Sequence, residues 1–126
     1  METDRSICVL VVDDHEVNRI VAVTLLQQLG CKVESVDCGQ DAVDAVRAGA
    51  YDVIFMDFHM PSMDGIQATE AIRSLVGDRA RTPIVAVTAD VSYETKQKCL
   101  AAGMDAYITK PIRKEELIGI LKTYCP

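Results

Sequence analysis

The sequence feature that most constrains the fold is an uninterrupted apolar run, residues 53–56, that ends directly in the carboxylate Asp57. A short run of this kind is typical of a strand buried on both faces, and the pairs Met60-Pro61 and Asp64-Gly65 that follow it indicate a turn. Ligands of open parallel sheets bind beyond the carboxyl ends of the strands. Asp57 is therefore predicted to lie at the sheet edge where a functional site would form.

Two kinds of segment alternate along the chain. Four further segments are predicted to be strands: 7–12, 31–36, 83–88 and 106–109. Five segments have apolar residues at three- and four-residue spacing and are predicted to be helices: 16–29, 40–48, 66–75, 93–102 and 113–124. In the first of these helices, the apolar face is predicted to contain Val17, Ile20, Val21, Thr24, Leu25 and Gln28 or Leu29.

This alternation predicts an α/β fold, a single (βα)5 doubly wound parallel sheet that occupies one domain over residues 1–126. Parallel strands need right-handed crossover connections, which place helices on both faces of the sheet. The flavodoxin-like strand order 2-1-3-4-5 fits best. It places the second strand, in which apolar and polar residues alternate, at an edge and the two most apolar strands in the middle.

Composition narrows the functional classes. Apolar residues make up 49% and charged residues 25% of the 126 residues, as in ordinary soluble domains. The net charge of −6 argues against binding to nucleic acid. No apolar run approaches the roughly 20 residues of a membrane span. The domain itself is therefore predicted to make no membrane contact. The five cysteines form no C-x-x-C pair, which predicts reduced thiols and a cytoplasmic location, either free or as the cytosolic part of a membrane-anchored protein.

Carboxylates are predicted to cluster at the sheet edge. In the order 2-1-3-4-5 the first and third strands are neighbours, so Asp13 and Asp14 should lie near Asp57. Like charges about 4 Å apart cost roughly 4 kcal/mol per pair at an effective dielectric constant of about 20, so a cation should join them. Oxygen ligands alone suit Mg²⁺. Taken singly, Asp14 could instead cap the first helix and Asp13 could be solvated.

Two more polar residues follow strands at the same edge. Thr88 ends the fourth predicted strand and Lys110 follows the fifth. A hydroxyl and an ammonium group facing carboxylates can bind a phosphoryl group. Each residue alone also has a simpler explanation, since threonine is common in strands and a lysine before proline is usually solvated.

Four blocks of residues resemble the signature of the receiver domain of two-component response regulators, and together they span essentially the whole chain. The blocks are Asp13-Asp14, Asp57 with Met60-Pro61-x-Met63-Asp64-Gly65, Thr88-Ala89, and Lys110-Pro111. The runs 14–19 and 99–105 are most similar to receivers attached to hybrid sensor histidine kinases.

The resemblance implies a phosphoryl-accepting module of a phosphorelay. Asp57 would accept a phosphoryl group from a phosphohistidine on a histidine kinase or a histidine phosphotransfer protein. Asp13, Asp14, Asp57 and the backbone carbonyl of His59 would hold Mg²⁺, with Mn²⁺ as an alternative. The domain would be a signalling module that takes part in its own phosphorylation and slow dephosphorylation, and not an enzyme in its own right.

The resemblance also implies a conformational switch. Lys110 would pair with the phosphoryl oxygens, Thr88 would move toward the phosphate, and Tyr107 would follow it inward. These movements would alter the face formed by the fourth helix, the fifth strand and the fifth helix. From its position alone, Tyr107 could equally be a half-buried packing residue.

Other residues near the acceptor receive narrower predictions. The resemblance implies that His59 and Asp90 tune the lifetime of the phosphate and that the Lys110-Pro111 bond is cis. The His59 side chain could instead point to solvent and contribute only its carbonyl group. His15 is predicted to be an exposed residue of the first helical turn and not a ligand of a hard cation.

Three other classes of protein are compatible with parts of the pattern. A phosphatase of the haloacid dehalogenase type also uses an aspartyl nucleophile, but it needs a second aspartate where His59 stands. A flavin or nucleotide binder would need a glycine-rich loop after the first strand. A degenerate receiver that only docks a partner would not need the complete set of acidic residues, Thr88 and Lys110. The domain is predicted to be a monomer or a weak dimer.

Overall fold

The computed structural model describes residues 6–60, 63–90 and 92–125. Five strands alternate with five α-helices, as the sequence predicts: β1 (Cys8–Val12), α1 (Glu16–Gln28), β2 (Lys32–Val36), α2 (Gly39–Ala48), β3 (Val53–Asp57), α3 (Gly65–Arg73), β4 (Ile84–Thr88), α4 (Tyr93–Ala102), β5 (Ala106–Thr109) and α5 (Lys114–Tyr124). The polar connection before β4 contains a short 3-10 helix, Asp78–Arg81.

The five strands form one parallel sheet in the order β2-β1-β3-β4-β5, which confirms the predicted fold class and strand order. The register aligns the carboxyl ends of the central strands. Val12, the last residue of β1, pairs with Met56, and Asp57, the last residue of β3, pairs with Val87. Residues that directly follow these strands therefore meet at one edge of the sheet.

Alternate residues of each strand point into two hydrophobic cores, one on each side of the sheet. Leu10 and Ile54 lie in the core covered by α2, α3 and α4, whereas Val9 and Phe55 lie in the core covered by α1 and α5. All residues of β3 and β4 are buried. Each large apolar side chain that is fully buried contributes about 1.5–3 kcal/mol, so the sheet holds the residues at its edge firmly.

The predicted apolar face of α1 is wrong for Val17, Ile20 and Val21, although Leu25 and Leu29 are partly buried against the core as expected. Val17, Ile20 and Val21 are 73%, 55% and 44% exposed, whereas Ala22 and Leu26 are the buried residues of this helix. Two faces of α1 carry apolar residues with the same helical spacing, so the spacing does not tell which face packs on the sheet. The outer face therefore leaves a group of large apolar side chains, Val17, Ile20 and Val21, in contact with solvent; we call it the α1 patch.

Arg73, the last residue of α3, connects four parts of the opposite end of the molecule. Its guanidinium group donates to the backbone carbonyls of Gly103, Ala80 and Thr82 at 2.8–2.9 Å, and to Asp105 Oδ2 at 3.0 Å. Gly103 ends α4 in the left-handed conformation, with φ of 107°. The carboxyl end of α4 is thus fixed to α3 and to the segment that precedes β4.

The ends of other helices also follow from local chemistry. Asp64 and Gln67 form a capping box at the start of α3, with reciprocal hydrogen bonds of 2.8 and 3.0 Å. Ser92 caps α4 by accepting a hydrogen bond from the backbone N–H of Thr95. In the described part of the chain, no helix has the length and apolar character needed to span a lipid bilayer.

Candidate functional site

Four strands bring one polar residue each to the carboxyl edge of the sheet. Asp13 directly follows β1, Asp57 and Thr88 end β3 and β4, and Lys110 directly follows β5. Asp57 and Thr88 are each 1% exposed, and Asp13 is 4% exposed. The structure therefore brings together the residues that the sequence placed at this edge, and it buries most of them.

The Asp57 carboxylate has one satisfied oxygen and one unsatisfied oxygen. Oδ1 accepts a hydrogen bond from Lys110 Nζ at 3.0 Å and one from the backbone N–H of His59 at 3.3 Å. Oδ2 is buried and accepts no hydrogen bond from the described residues. Leaving a buried carboxylate oxygen without a partner is unfavourable, so a cation or an electrophile would stabilise Oδ2. Asp14 Oδ1 is likewise buried and accepts no hydrogen bond from the described residues.

The electrostatic environment raises the pKa of Asp57 to about 6, mainly because burial disfavours the charged form. The hydrogen bond from Lys110 opposes this shift, and the neighbouring charge of Asp13 adds to it. Asp57 is thus mostly ionised above pH 7, but at a cost in stability that a bound cation would relieve.

Acidic side chains surround the Asp57 carboxylate. Ligand atoms of Asp13, Asp14, His15 and Asp57 all lie within 4.8 Å of one another. Asp14 does not cap α1, because the residue at the N-cap is His15 and its side chain makes no capping hydrogen bond. Instead, Asp13 Oδ1 accepts a hydrogen bond from the backbone N–H of His15 at 2.9 Å. Three carboxylates at these distances fit a hard divalent cation such as Mg²⁺.

Lys110 and Arg19 are the basic residues of this site. Lys110 Nζ lies 3.0 Å from Asp57 Oδ1 and 3.9 Å from Asp13 Oδ2, so it partly neutralises both carboxylates. The Lys110-Pro111 peptide bond is cis, as predicted. Arg19, which the sequence did not single out, donates from Nη1 to the backbone carbonyl of Asp13 at 2.9 Å. Arg19 therefore holds the backbone that carries the acidic pair.

Thr88 and Asp90 connect the site to α4. The hydroxyl oxygen of Thr88 accepts a hydrogen bond from the backbone N–H of Asp90 at 3.0 Å. Asp90 in turn accepts hydrogen bonds from the Ser92 backbone at 2.9 Å and from the Thr95 hydroxyl at 2.6 Å. These bonds lower the pKa of Asp90. The structure thus gives Asp90 a part in shaping the β4–α4 connection, while its effect on phosphate lifetime stays a prediction.

His59 and Tyr107 lie at the border of the site. The His59 side chain is exposed, and its ring packs edge-on against Phe58 with ring centroids 4.6 Å apart. Tyr107 is half-buried and packs on the core that α2, α3 and α4 cover. The ammonium group of Lys96, on α4, lies 4.9 Å from the centroid of the Tyr107 ring. The switching role of Tyr107 stays a prediction, and the contact with Lys96 links it to α4.

Gly65 shapes the loop that follows Asp57, and the sequence treated it only as part of a turn. Its backbone N–H donates to the Phe58 carbonyl at 3.1 Å, and a Cβ atom on Gly65 would lie 2.5 Å from the Asp57 carbonyl oxygen. The spacing of Asp64 and Gln67 is a capping-box signal that could have placed the helix start here. Pro61, from the predicted turn, lies outside the described residues.

Comparisons with known proteins agree with this site. A family model described as the response regulator receiver domain matches residues 9–122. Sensor protein GacS of Pseudomonas syringae pv. syringae is 44% identical over 90% of the chain. Histidine-protein kinase BarA of Escherichia coli K12 is 39% identical over 99% of the chain. The chain spans only 13% and 14% of the lengths of these two relatives.

Solved structures share the fold. One is the receiver domain of sensor histidine kinase PA1611 from Pseudomonas aeruginosa PAO1, which contains a magnesium ion coordinated in its active-site cleft. It is 37% identical, with a TM-score of 0.88 and coverage of 95% of this chain and 98% of that one. The chemotaxis protein CheY4 of Vibrio cholerae is 31% identical, with a TM-score of 0.87 and coverage of 95% and 99%.

Proposed function

Because this chain belongs to the family of response regulator receiver domains, we propose that Asp57 accepts a phosphoryl group from a phosphohistidine on a histidine kinase or a histidine phosphotransfer protein. The observation that carries the proposal is the geometry of the Asp57 carboxylate. One oxygen is held by Lys110 and by the backbone of His59, while the other is buried and unsatisfied. A carboxylate that is held in this way is suited to accept the phosphoryl group.

In the proposed step, an oxygen of ionised Asp57 bonds to phosphorus as the phosphorus–nitrogen bond of the phosphohistidine breaks. The electron pair of that bond leaves with the partner's imidazole, and the product on Asp57 is an acyl phosphate. The protein promotes this transfer by positioning the reacting groups and by stabilising the charge on the phosphoryl group. Lys110, 3.0 Å from Asp57, would pair with the phosphoryl oxygens.

Asp13, Asp14, Asp57 and the backbone carbonyl of His59 would hold Mg²⁺, with Mn²⁺ as an alternative. The carboxylates fit such an ion because their oxygens lie close together and Asp57 Oδ2 lacks a partner among the described residues. A bound divalent cation neutralises charge on the phosphoryl group and aligns it. This chain contributes the acidic residues on a rigid sheet edge, so the alignment needs little rearrangement.

We infer that the phosphorylated state is signalled through the β4–α4 connection. If the Thr88 side chain rotates so that its hydroxyl oxygen moves toward a phosphoryl group, the hydrogen bond that this oxygen accepts from the Asp90 backbone lengthens or breaks. Asp90 holds the first turn of α4 through Thr95, and Lys96 on the same turn contacts Tyr107. This chain of contacts supports switching at the face formed by α4, β5 and α5.

The α1 patch is suited to dock the phosphoryl donor. A donor must bring its phosphohistidine to Asp57, so it must cover the surface around the acidic residues. Val21, a member of the patch, lines a small cavity together with Asp13 and Lys110. Exposed apolar side chains beside a charged site favour contact with another protein. We therefore place the histidine-bearing partner on α1.

A phosphatase of the haloacid dehalogenase type receives less support. His59 occupies the position where a haloacid dehalogenase phosphatase would carry its second aspartate, and its side chain is exposed. A signalling role with slow self-dephosphorylation is favoured. The imidazole of His59 and the carboxylate of Asp90 would tune that rate. An unchanged dephosphorylation rate in a His59→Ala protein would exclude a role for the imidazole.

Intact-mass measurement after incubation with acetyl phosphate tests the acceptor. We expect one phosphoryl adduct that needs Mg²⁺, disappears with a chelator and is absent from Asp57→Asn. Asp44→Asn, which removes an exposed carboxylate of α2, serves as the matched control and should retain the adduct. No adduct on the wild type, or an adduct that survives in Asp57→Asn, would refute the proposed acceptor.

A further inference from the structure

We propose that His15 adds a nitrogen ligand to the cation site, so that the site also binds borderline transition-metal ions such as Ni²⁺ and Co²⁺ through His15 Nδ1. The sequence prediction excluded His15 only for a hard cation, and the inference concerns a different class of ion. It rests on the proposed function only in placing a divalent cation among the acidic residues at the sheet edge.

The distances around His15 fit coordination of one ion. Nδ1 lies 3.2 Å from Asp14 Oδ1 and 3.6 Å from Asp13 Oδ1. Ligand atoms of these residues and of Asp57 all lie within 4.8 Å of one another. In an octahedral site with bonds of about 2.1 Å, adjacent ligand atoms are roughly 3.0 Å apart and opposite ones roughly 4.2 Å apart. The two distances from the His15 nitrogen to the carboxylates of Asp13 and Asp14 fall between these values.

A second observation points to a cation at the same place. The Asp57 side chain is almost completely buried, and its Oδ2 has no hydrogen-bond partner among the described residues. Asp57 contributes an oxygen to the same group of ligand atoms as His15. A buried carboxylate oxygen that no described donor reaches is best satisfied by an ion between Asp57 and the acidic pair.

The backbone fixes His15 beside the carboxylates. Its N–H donates to Asp13 Oδ1 at 2.9 Å, and its extended backbone, with φ of −93° and ψ of 117°, begins α1. The imidazole therefore starts close to its position as a ligand, and little conformational entropy is lost on binding. The side chain is 67% exposed, which leaves an open path for a hydrated ion.

The choice of ion separates coordination from simple charge pairing. Imidazole nitrogen is a good ligand for Ni²⁺ and related ions, whereas Mg²⁺ prefers oxygen ligands and keeps several waters. Loss of a ligating nitrogen should weaken Ni²⁺ binding and leave Mg²⁺ binding nearly unchanged. If His15 only places positive charge near Asp13 and Asp14, its removal should not discriminate between the two ions.

Isothermal titration with Ni²⁺ and with Mg²⁺ tests the inference on tag-free protein. Because Asp37, Cys38 and Asp41 form another group able to hold a metal, all proteins carry Cys38→Ser. We expect His15→Gln to lower the Ni²⁺ affinity by at least about tenfold, since losing even an indirect support of a ligand costs 10–100-fold. The Mg²⁺ affinity should stay within about twofold. Asp44→Asn, which removes an exposed carboxylate of α2, is the control and should retain Ni²⁺ binding. His59→Gln, at the other histidine of the chain, serves only to assign the spectroscopic signal described next.

A spectroscopic readout identifies the ligand directly. In the Co²⁺-loaded protein, an imidazole bound through Nδ1 should give a hyperfine-shifted Nε2–H proton resonance that is absent in His15→Gln. Equal losses of Ni²⁺ and Mg²⁺ affinity, no loss of Ni²⁺ affinity, or a resonance that disappears only in His59→Gln would overturn the inference. Acetyl phosphate labelling with Mg²⁺ is scored separately, so failure of the acceptor role is distinguishable from failure of this one.

Discussion

Replacing Asp57 with asparagine should raise the free energy of unfolding at neutral pH when divalent cations are absent. Burial and the charge of Asp13 raise the pKa of Asp57 from its ordinary value of 3.8 to about 6. An acid whose pKa is higher in the folded state stabilises the fold only while it is protonated. Asp57 therefore lowers the stability of the wild type as the pH rises from about 4 through about 6, and this contribution is absent from the asparagine variant.

The interval between the pKa values of Asp57 in the unfolded and folded states sets the size of the stability difference. One pH unit corresponds to about 1.4 kcal/mol, so the full interval gives at most about 3 kcal/mol in favour of Asp57→Asn above pH 7. The ion pair with Lys110 is already included in this interval, because it lowers the pKa of Asp57. In the variant, Lys110 is 24% exposed and remains 3.9 Å from Asp13. We expect a net difference of about 1–3 kcal/mol.

Urea denaturation followed by circular dichroism between pH 4.5 and 7.5, with a chelator present, measures this difference. Other acidic groups titrate in both proteins, so subtracting the two stability curves isolates Asp57. The difference should grow up to about pH 6 and then level off. Asp44→Asn is the matched control and should give a flat difference. An asparagine variant that is less stable than the wild type at pH 7.5, or a difference independent of pH, would refute the reasoning.

Three further changes follow from contacts described above. Gly65→Ala should lower the free energy of unfolding by about 1–3 kcal/mol and slow phosphorylation, because its Cβ would lie 2.5 Å from the carbonyl oxygen of the acceptor aspartate. The control is Gly119→Ala in α5, where a Cβ meets no atom within 4 Å; it should not lower the free energy of unfolding in the same urea assay. Arg73→Met should lower the unfolding free energy by about 2–3 kcal/mol, since three backbone carbonyls lose a charged donor, while Arg81→Met at an exposed position should change it by less than about 0.5 kcal/mol. Val17→Ser should slow transfer from a phosphorylated histidine phosphotransfer protein without changing labelling by acetyl phosphate; equal slowing of both reactions would contradict docking at α1.

The sheet and its polar edge could be predicted because each cue is local. Runs of apolar residues such as those of β3 and β4 have no polar face, so they had to be buried strands. A polar residue at the end of such a run must then emerge at the sheet edge. Asp13, Asp57, Thr88 and Lys110 all follow this rule, and the parallel register brings them together.

Features that depend on contacts through space were missed or wrong. The helical spacing in α1 was identified, but large apolar residues such as Val17 lie outside while the small Ala22 faces the sheet. The spacing of apolar residues shows that a segment is a helix, but it does not show which face packs on the sheet. In the sequence, an apolar surface that binds a partner has the same pattern as a face that packs in the core. The close approach of Gly65 to Asp57 and the contacts of Arg73 join residues whose proximity exists only in the folded chain.

The two ends of α4 are held in different ways, and this difference would allow the helix to tilt about its carboxyl end. Arg73 fixes the carboxyl end at Gly103 as a fulcrum, whereas the amino end rests on the Asp90 carboxylate, one hydrogen bond away from Thr88. Ten residues of helix are about 15 Å long, so moving the amino end by about 1.5 Å would tilt α4 by roughly 6°. A movement of the Thr88 side chain could thus change the angle of the surface that α4 forms with β5 and α5.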